Sequence, residues 1–245
     1  MPLESAKGIV LGSNVFKERD KIVQILTENS GIIKIVAHGS SKRKNRFGSL
    51  FELFTFGEFF FYRKEDKELS TLSKGDVIQS YFDTVSESGR IFYFYLIAEI
   101  VLKFVPKNFN SERVYKLLNS ILIGSSKGVD MKYILLFFMI WILRIEGMMF
   151  ESRRCCKCGE NNLTKSWVTE DFRGVLCNLC RVGEMDSIGM ESIKFIEWTK
   201  RNGLSSKYNN LTSEFCKELF QILKNKIEYH GEIILNSSRY LSDLN

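Results

Sequence analysis

Residues 20–37 of the chain read DKIVQILTENSGIIKIVA, and this stretch decides the fold of the N-terminal third. Its two ends, residues 20–27 and residues 32–37, are short runs rich in β-branched side chains, which favour strands. Asn29, Ser30 and Gly31 stand between the two runs, and these residue types favour a tight turn. The stretch therefore predicts a β-hairpin.

Strand signals continue on both sides of this hairpin. Residues 7–12 form a short apolar run between glycines, and residues 50–62 are aromatic and partly alternating, with Gly57 as an expected bulge or bend. Residues 68–73 and residues 76–81 complete the set. About five short antiparallel strands in roughly 80 residues indicate a small closed barrel, and the OB-fold is the common barrel of this size that binds nucleic acid.

A strongly basic segment follows the hairpin, and its four cations are Lys42, Arg43, Lys44 and Arg46. Such a cluster cannot pack in a core, because the like charges repel unless water or an anion lies between them. One interpretation is that the loop binds nucleic-acid phosphates with an affinity that falls as salt rises. The other is that the loop is a solvated tip without a partner.

Two Cys-x-x-Cys pairs stand in the C-terminal half. Cys155 and Cys158 form the first pair, Cys177 and Cys180 form the second, and eighteen residues separate the pairs. This is the spacing of a closed four-thiolate zinc site, in which each tight turn brings two sulfurs to one ion. Four protein ligands leave no open position, so the expected cofactor is one structural Zn²⁺. The alternatives are disulfides, free buried thiols, or a set in which the spare thiol Cys156 replaces Cys155.

The pattern changes from strands to helices after residue 81. Predicted helices cover residues 90–105, 112–123, 131–149, 189–200 and 212–229, and the N-caps of the second and third are Ser111 and Asp130. The sequence thus predicts an α+β multidomain protein. Its parts are a five-stranded OB-fold barrel over residues 1–81 and an α-helical bundle domain over residues 82–245, with a zinc module at residues 151–185 inserted in the second.

Composition narrows the class of protein further. The 245 residues carry a formal net charge of +6, which favours a polyanionic partner. Five of the six cysteines lie within 26 residues, as expected for metal binding in a reducing compartment. The first six residues contain no apolar signal core, and the longest apolar run, residues 133–143, is shorter than the roughly 20 residues that span a bilayer. We therefore expect a cytoplasmic protein without a membrane partner.

Catalytic motifs are missing from the sequence. It has no Gly-x-x-x-x-Gly-Lys phosphate loop, no Gly-x-Ser-x-Gly and no His-Glu-x-x-His, and its two histidines leave little scope for acid–base chemistry. We therefore predict that the chain is not an enzyme. Two rival hypotheses stay open at this point. One is a metal-dependent enzyme acting on nucleic acid, and the other is a zinc-containing nucleic-acid-binding or protein-interaction scaffold of an unrelated pathway.

Several segments, taken in order, form a recognisable series. They are Gly8-Ile9-Val10-Leu11, Lys17-Glu18-Arg19-Asp20-Lys21-Ile22-Val23, Ile25-Leu26-Thr27 with Gly31, Ala37-x-Gly39-x-x-Lys42, the two cysteine pairs, and the tail from Tyr229-His230-Gly231 to Ser237-Ser238-Arg239-Tyr240-Leu241. This series resembles the RecO family of recombination mediators. The resemblance covers nearly the whole chain. It implies an OB-fold followed by a helical bundle that carries zinc.

The resemblance also implies a function. RecO proteins bind single- and double-stranded DNA, anneal complementary strands and, with RecR, help to load the RecA recombinase onto DNA coated by SSB, without hydrolysing ATP. Their helical domain contacts the acidic, Phe-ended tail of SSB, and a bacterial, nucleoid-associated location follows. This chain departs from the family at residues 37–41, where relatives more often place extra arginines. That departure leaves the phosphate contacts to Lys42, Arg43, Lys44 and Arg46.

Overall fold

Two compact units make up the chain, residues 1–126 and residues 127–245. The computed structural model describes residues 2–41, 47–63, 69–87, 89–105, 111–161, 163, 165–206, 208 and 211–244. Among these residues, no helix combines the length and the apolar content that crossing a bilayer requires.

The first unit begins with a five-stranded barrel. Its strands are β1 Leu3–Phe16, β2 Asp20–Thr27, β3 Gly31–Ala37, β4 Phe56–Tyr62 and β5 Leu69–Gln79. They close in the order β1-β2-β3-β5-β4, with β3 and β5 parallel and the other neighbours antiparallel. The hairpin predicted from residues 20–37 is confirmed as β2 and β3, and the predicted OB-fold barrel is confirmed with it.

A glycine decides how β4 enters the barrel. β4 begins at Phe56, later than the expected start at residue 50, because the preceding chain turns and buries Leu50 and Phe54. The register between β4 and β5 shifts at Gly57, where the sequence predicted a bulge. A Cβ on Gly57 would lie 2.9 Å from Cδ1 of Leu50, so glycine leaves the space in which Leu50 packs.

β5 is one continuous strand, so the prediction of two separate strands over residues 68–73 and 76–81 is wrong. Lys74 and Gly75, which suggested a break, pair with Phe60 and Phe59 of β4. A Cβ on Gly75 would lie 2.5 Å from Cδ2 of Leu50. This glycine therefore provides room for a core side chain instead of making a turn.

Helices follow the barrel in the first unit, with α1 at Phe82–Ser86, α2 at Ile91–Phe104 and α3 at Glu112–Ser126. The Phe94 ring of α2 lies 5.2 Å from the Phe54 ring, centre to centre. The hydroxyl of Ser111, at the start of α3, donates a hydrogen bond to the Thr27 carbonyl at 3.2 Å. These helices thus belong to the same compact unit as the barrel. The assignment of residues 82–245 to one domain stays a prediction.

The second unit combines helices with a small sheet. Its elements are α4 Met131–Ile145, β6 Glu151–Cys155, β7 Ser166–Val168, β8 Gly174–Leu176, β9 Ser187–Ile188, α5 Met190–Trp198, α6 Ser213–Gly231 and a 3₁₀ helix at Asn236–Tyr240. The four strands pair in the order β6-β8-β7-β9. The sequence indicated a polar, metal-held segment here and did not predict this sheet.

Local signals set the ends of α4. The Asp130 carboxylate caps the helix as predicted, accepting hydrogen bonds from the N–H groups of Lys132 at 2.8 Å and Tyr133 at 3.1 Å. The helix ends at residue 145, before the predicted end at 149. The reason is that Gly147 takes a left-handed φ of 71° and the Met148 N–H bonds back to the Leu143 carbonyl.

Candidate metal centre and nucleic-acid surface

Four thiols converge in the second unit. The Sγ atoms of Cys155, Cys158, Cys177 and Cys180 all lie within 4.8 Å of one another. The sulfurs of Cys158 and Cys177 are 3.7 Å apart. A zinc ion that binds sulfur tetrahedrally at about 2.3 Å would hold its ligands about 3.8 Å apart. The spacing and the donor type therefore fit a closed thiolate metal site.

Each cysteine pair is set in a tight turn that main-chain hydrogen bonds hold. In the first turn, Gly159 takes a φ of 77° and donates its N–H to the Cys155 carbonyl at 2.9 Å. In the second, the N–H groups of Cys180 and Arg181 both donate to the Cys177 carbonyl at 3.1 Å. Such turns place the two sulfurs of a pair close enough to share one ion.

Gly174 serves the site in a way that the sequence did not suggest. Gly174 has no positive φ and lies in β8. A Cβ at this position would be 2.8 Å from the Cβ of Cys156. Glycine therefore lets β6 and β8 approach closely, and this approach brings the first cysteine pair beside the second.

The four thiols differ in their affinity for protons. Burial disfavours the thiolate of Cys155, but hydrogen bonds from the backbone N–H groups of Cys158, Cys177 and Lys157 outweigh burial and lower its pKa to about 6. The hydrogen bond with the Cys158 side chain, followed by burial, raises the pKa of Cys180 to about 12. Because a metal requires thiolates, ion uptake at this cluster would release the protons that the other thiols retain.

Two cysteines stand outside the cluster. Cys156 is exposed, and its N–H donates to the Val175 carbonyl at 2.8 Å. The set that the structure brings together contains Cys155 and not Cys156. Cys216 is buried in α6 among core side chains, and burial raises its pKa to about 11.

Two arginines near the cluster have protein partners. The guanidinium carbon of Arg181 lies 5.0 Å from the centre of the Trp167 ring. Arg173 forms an ion pair with Asp171, with Nε and Oδ2 3.3 Å apart. Lys157 is exposed in the first cysteine turn. These contacts account for Arg173 and Arg181 without a phosphate.

A buried lysine joins α6 to the turn between β7 and β8. Lys226 is 1% exposed, and its ammonium donates to the Phe172 carbonyl and lies 3.1 Å from Nε2 of His230. The ammonium also lies 5.4 Å from the centre of the Phe150 ring, where a cation is attracted. Burial lowers its pKa to about 8. The sequence carries a signal for this residue, which the prediction did not use: Lys226 stands four residues after Ile222 and three after Leu223, and this spacing places it on the apolar face of α6.

The predicted DNA-contacting cations, which lie outside the described residues, are Lys42, Arg43, Lys44 and Arg46. The residues that flank them are described. Ser41 donates its N–H to the Arg19 carbonyl and its hydroxyl to the Asp20 carbonyl, both at 3.0 Å. Phe47 is buried in the barrel core, and its ring centre lies 5.0 Å from that of Phe51. Both ends of the basic segment are therefore fixed on the barrel.

The Asp20 carboxylate also binds the chain that leads into this segment. Its Oδ1 accepts the Gly39 N–H at 2.9 Å, and its Oδ2 lies 2.8 Å from Nδ1 of His38. The hydrogen bond from the Gly39 N–H, followed by the hydrogen bond with His38, holds the pKa of Asp20 below its ordinary value. No sequence pattern indicated that Asp20 contacts residues 38 and 39, because an acid beside Arg19 and Lys21 resembles an ordinary surface residue.

The fold and the cluster together define a class: an OB-barrel protein with a cysteine-rich module capable of holding a metal. Comparison with known families is more specific. Residues 1–81 match the family model described as Recombination protein O N terminal, and residues 86–239 match the one described as Recombination protein O C terminal. The chain belongs to the RecO family.

Curated relatives with the name DNA repair protein RecO extend the match. The protein from Clostridium novyi is 22% identical over 219 residues, which are 89% of this chain and 85% of the relative. The protein from Clostridium acetobutylicum is 24% identical over 226 residues, 91% of either chain. The one from Caldicellulosiruptor saccharolyticus is 28% identical over 196 residues, 80% of either chain. Family membership thus supports a role in DNA repair or recombination.

Proposed function

We propose that this chain is a non-catalytic recombination mediator. It binds single- and double-stranded DNA, anneals complementary strands and, with RecR, helps to load RecA onto SSB-coated DNA in the bacterial cytoplasm, at the nucleoid. The observation that carries this proposal is an OB-fold barrel from which a four-cation segment leaves and returns at fixed residues, within a chain that matches RecO in both parts.

The mechanism that we propose is electrostatic. Lys42, Arg43, Lys44 and Arg46 neutralise backbone phosphates and release the counterions that surround DNA. Two complementary strands repel each other, and cations between them reduce that repulsion. Base pairing then supplies all the sequence information, so contacts with base edges are unnecessary.

Charge reversal of the basic segment tests this mechanism. In the triple variant Lys42→Glu, Arg43→Glu, Lys44→Glu, we expect weaker single-stranded DNA binding and loss of strand-annealing acceleration on bare and SSB-coated DNA. Since each single-strand phosphate contact contributes about 0.7 to the slope of log affinity against log salt, that slope should become shallower by about two. Fluorescence anisotropy at several salt concentrations measures both quantities.

The matched control reverses three exposed lysines of the second unit, Lys194, Lys200 and Lys217, to glutamate. It changes the net charge of the chain equally, so it should leave the salt slope close to that of the wild type. Equal losses in both variants would attribute binding to net charge alone and remove the loop from the mechanism. A wild-type chain without affinity for single-stranded DNA at low salt would favour the scaffold hypothesis.

We infer that the thiol cluster holds one structural Zn²⁺, bound by Cys155, Cys158, Cys177 and Cys180. Four thiolates complete a tetrahedron, so the ion would stabilise the module and would have no position for a reacting water. The proposed role of this ion is therefore structural and not catalytic. Strand cleavage that requires an added divalent metal would contradict it.

The proposed SSB contact requires an apolar cavity with a cation beside it, because the SSB tail is acidic and ends in phenylalanine. The second unit has a cavity of about 330 Å³, and Tyr133, Leu204 and Tyr208 contribute to its lining. Lys127 also lines it and is exposed. The acid at its edge, Asp130, already accepts two hydrogen bonds from α4. We propose this cavity as the site of the terminal phenylalanine.

A peptide copy of an SSB tail tests this assignment. Lys127→Glu should weaken peptide binding severalfold, because it places a like charge beside the acidic peptide. Arg113→Glu, an equal charge reversal at an exposed position of α3, is the control. Anisotropy of a labelled peptide measures both affinities. Unchanged binding in Lys127→Glu would place the tail elsewhere.

A further inference from the structure

The contacts of Asp20 concentrate on one short piece of chain. The carboxylate binds residues 38 and 39, and the backbone carbonyls of Arg19 and Asp20 bind Ser41. All of these contacts lie between the turn that joins β1 to β2 and the chain that leaves the end of β3. Lys42 follows Ser41 directly in the sequence, so this network ends where the basic segment begins.

The negative charge of Asp20, taken alone, should weaken DNA binding. Lys17, Arg19 and Lys21 flank it in the chain, and Lys17 lowers its pKa further by charge attraction. An anion in this position repels phosphate and cancels one of the cations. If charge alone mattered, removal of the carboxylate would improve DNA binding.

The hydrogen bonds suggest the opposite outcome. Gly39 takes a left-handed φ of 70°, and the hydrogen bond to Asp20 holds the chain in that turn. Without it, the stem gains freedom that must be lost again whenever the cations bind DNA, and this ordering costs affinity. The Ser40 hydroxyl, buried and bonded to the Ala37 carbonyl at 2.7 Å, completes a stem that is ordered before binding.

We propose that Asp20 is a positioning residue of the DNA-binding surface: its carboxylate holds residues 38 and 39 of the stem that leads into the basic segment. This inference rests on the proposed function, since it requires the basic segment to bind DNA. It assigns to an acidic residue a favourable contribution to the binding of a polyanion. The inference therefore predicts that removal of this carboxylate weakens DNA binding, whereas charge alone predicts that its removal strengthens binding.

The experiment compares Asp20→Ala with Glu18→Ala. Both variants remove one negative charge from the same turn, and Glu18 is exposed. We expect Glu18→Ala to bind single-stranded DNA as well as or better than the wild type. Asp20→Ala should bind about three- to tenfold more weakly, because the stem must be ordered on binding. The measurement is anisotropy of a labelled oligonucleotide at two salt concentrations.

A thermal melt of each variant separates binding from folding. If Asp20→Ala shows no cooperative transition, Asp20→Val replaces it, since a β-branched side chain favours the strand that begins at this residue and offers no acceptor for the Gly39 N–H. A folded Asp20 variant that binds as tightly as Glu18→Ala overturns the inference. The triple variant of the basic segment separates failure of this inference from failure of the proposed function. If the triple variant weakens DNA binding and Asp20→Ala does not, only the positioning role of Asp20 is wrong. If the triple variant has no effect, the basic segment is not the DNA contact.

Discussion

At the scale of single residues, Lys226 is the least ordinary feature of the second unit. A lysine that is 1% exposed carries its charge into the protein interior, and burial lowers its pKa from 10.5 to about 8. The Phe172 carbonyl and the His230 ring compensate part of that penalty, and Asp171 attracts the charge. Phe172 itself has a left-handed φ of 53°, which phenylalanine rarely adopts. Lys226 thus attaches to α6 the turn between β7 and β8, in which Phe172 has an unfavourable backbone conformation.

This lysine should make stability depend on pH. Between pH 8 and pH 10.5 the unfolded chain retains the Lys226 proton while the folded chain releases it, so the free energy of unfolding rises with pH. In Lys226→Met this contribution is absent. We expect the wild type to gain up to about 3 kcal/mol relative to the variant across that window.

Urea denaturation of both proteins at pH 7, 8.5 and 10 measures this difference. Other groups that titrate in the same range, including tyrosines and cysteines, affect both proteins equally and cancel in the subtraction. Parallel stability curves would show that Lys226 keeps an ordinary affinity for its proton in the folded chain.

At the scale of elements, sequence patterns predicted what depends on local chemistry and missed what depends on long-range pairing. The β2–β3 hairpin and the Asp130 cap follow from neighbouring residues, and both are confirmed. The sheet of β6 to β9 was missed, because its strands are two to five residues long and pair across the cysteine turns. The two strands predicted on either side of Gly75 are one strand for the same reason: Leu50, whose side chain needs the space that this glycine leaves, is distant in sequence.

The candidate sites show the same division. The spacing of the cysteines predicted the four residues whose sulfurs converge, since each pair is a local turn, but it left Cys156 as an alternative to Cys155. The contact between Asp20 and Gly39 could not be read from spacing, because the pairing of β2 with β3 brings these residues together. Buried charges such as Lys226 are invisible to patterns that assign lysine to the surface.

At the scale of the whole molecule, the proposed DNA-binding segment and the proposed metal site lie in different compact units. The basic segment belongs to residues 1–126, and all four clustered thiols belong to residues 127–245. The barrel has its own core, which includes Leu50, Phe59 and Phe61. None of the four clustered thiols belongs to that core. This separation allows the metal and the DNA surface to be tested independently.

Removal of the metal should lower thermal stability without a comparable loss of DNA affinity. In Cys177→Ser, Cys180→Ser, we expect metal content to fall from about one zinc per chain to none and the melting temperature to fall, because a closed thiolate site stabilises its module. Binding of single-stranded DNA at fixed salt should stay within about twofold, since the proposed phosphate contacts lie in the other unit. Cys156→Ser is the matched control, because substitution of this exposed neighbour of the cluster should change none of the three quantities, which are metal content, melting temperature and DNA affinity.

Two outcomes would contradict this prediction. An unchanged melting temperature in the metal-free variant would show that the ion does not stabilise the chain. An equal loss of DNA affinity would show that the cysteine-rich module itself contacts phosphate.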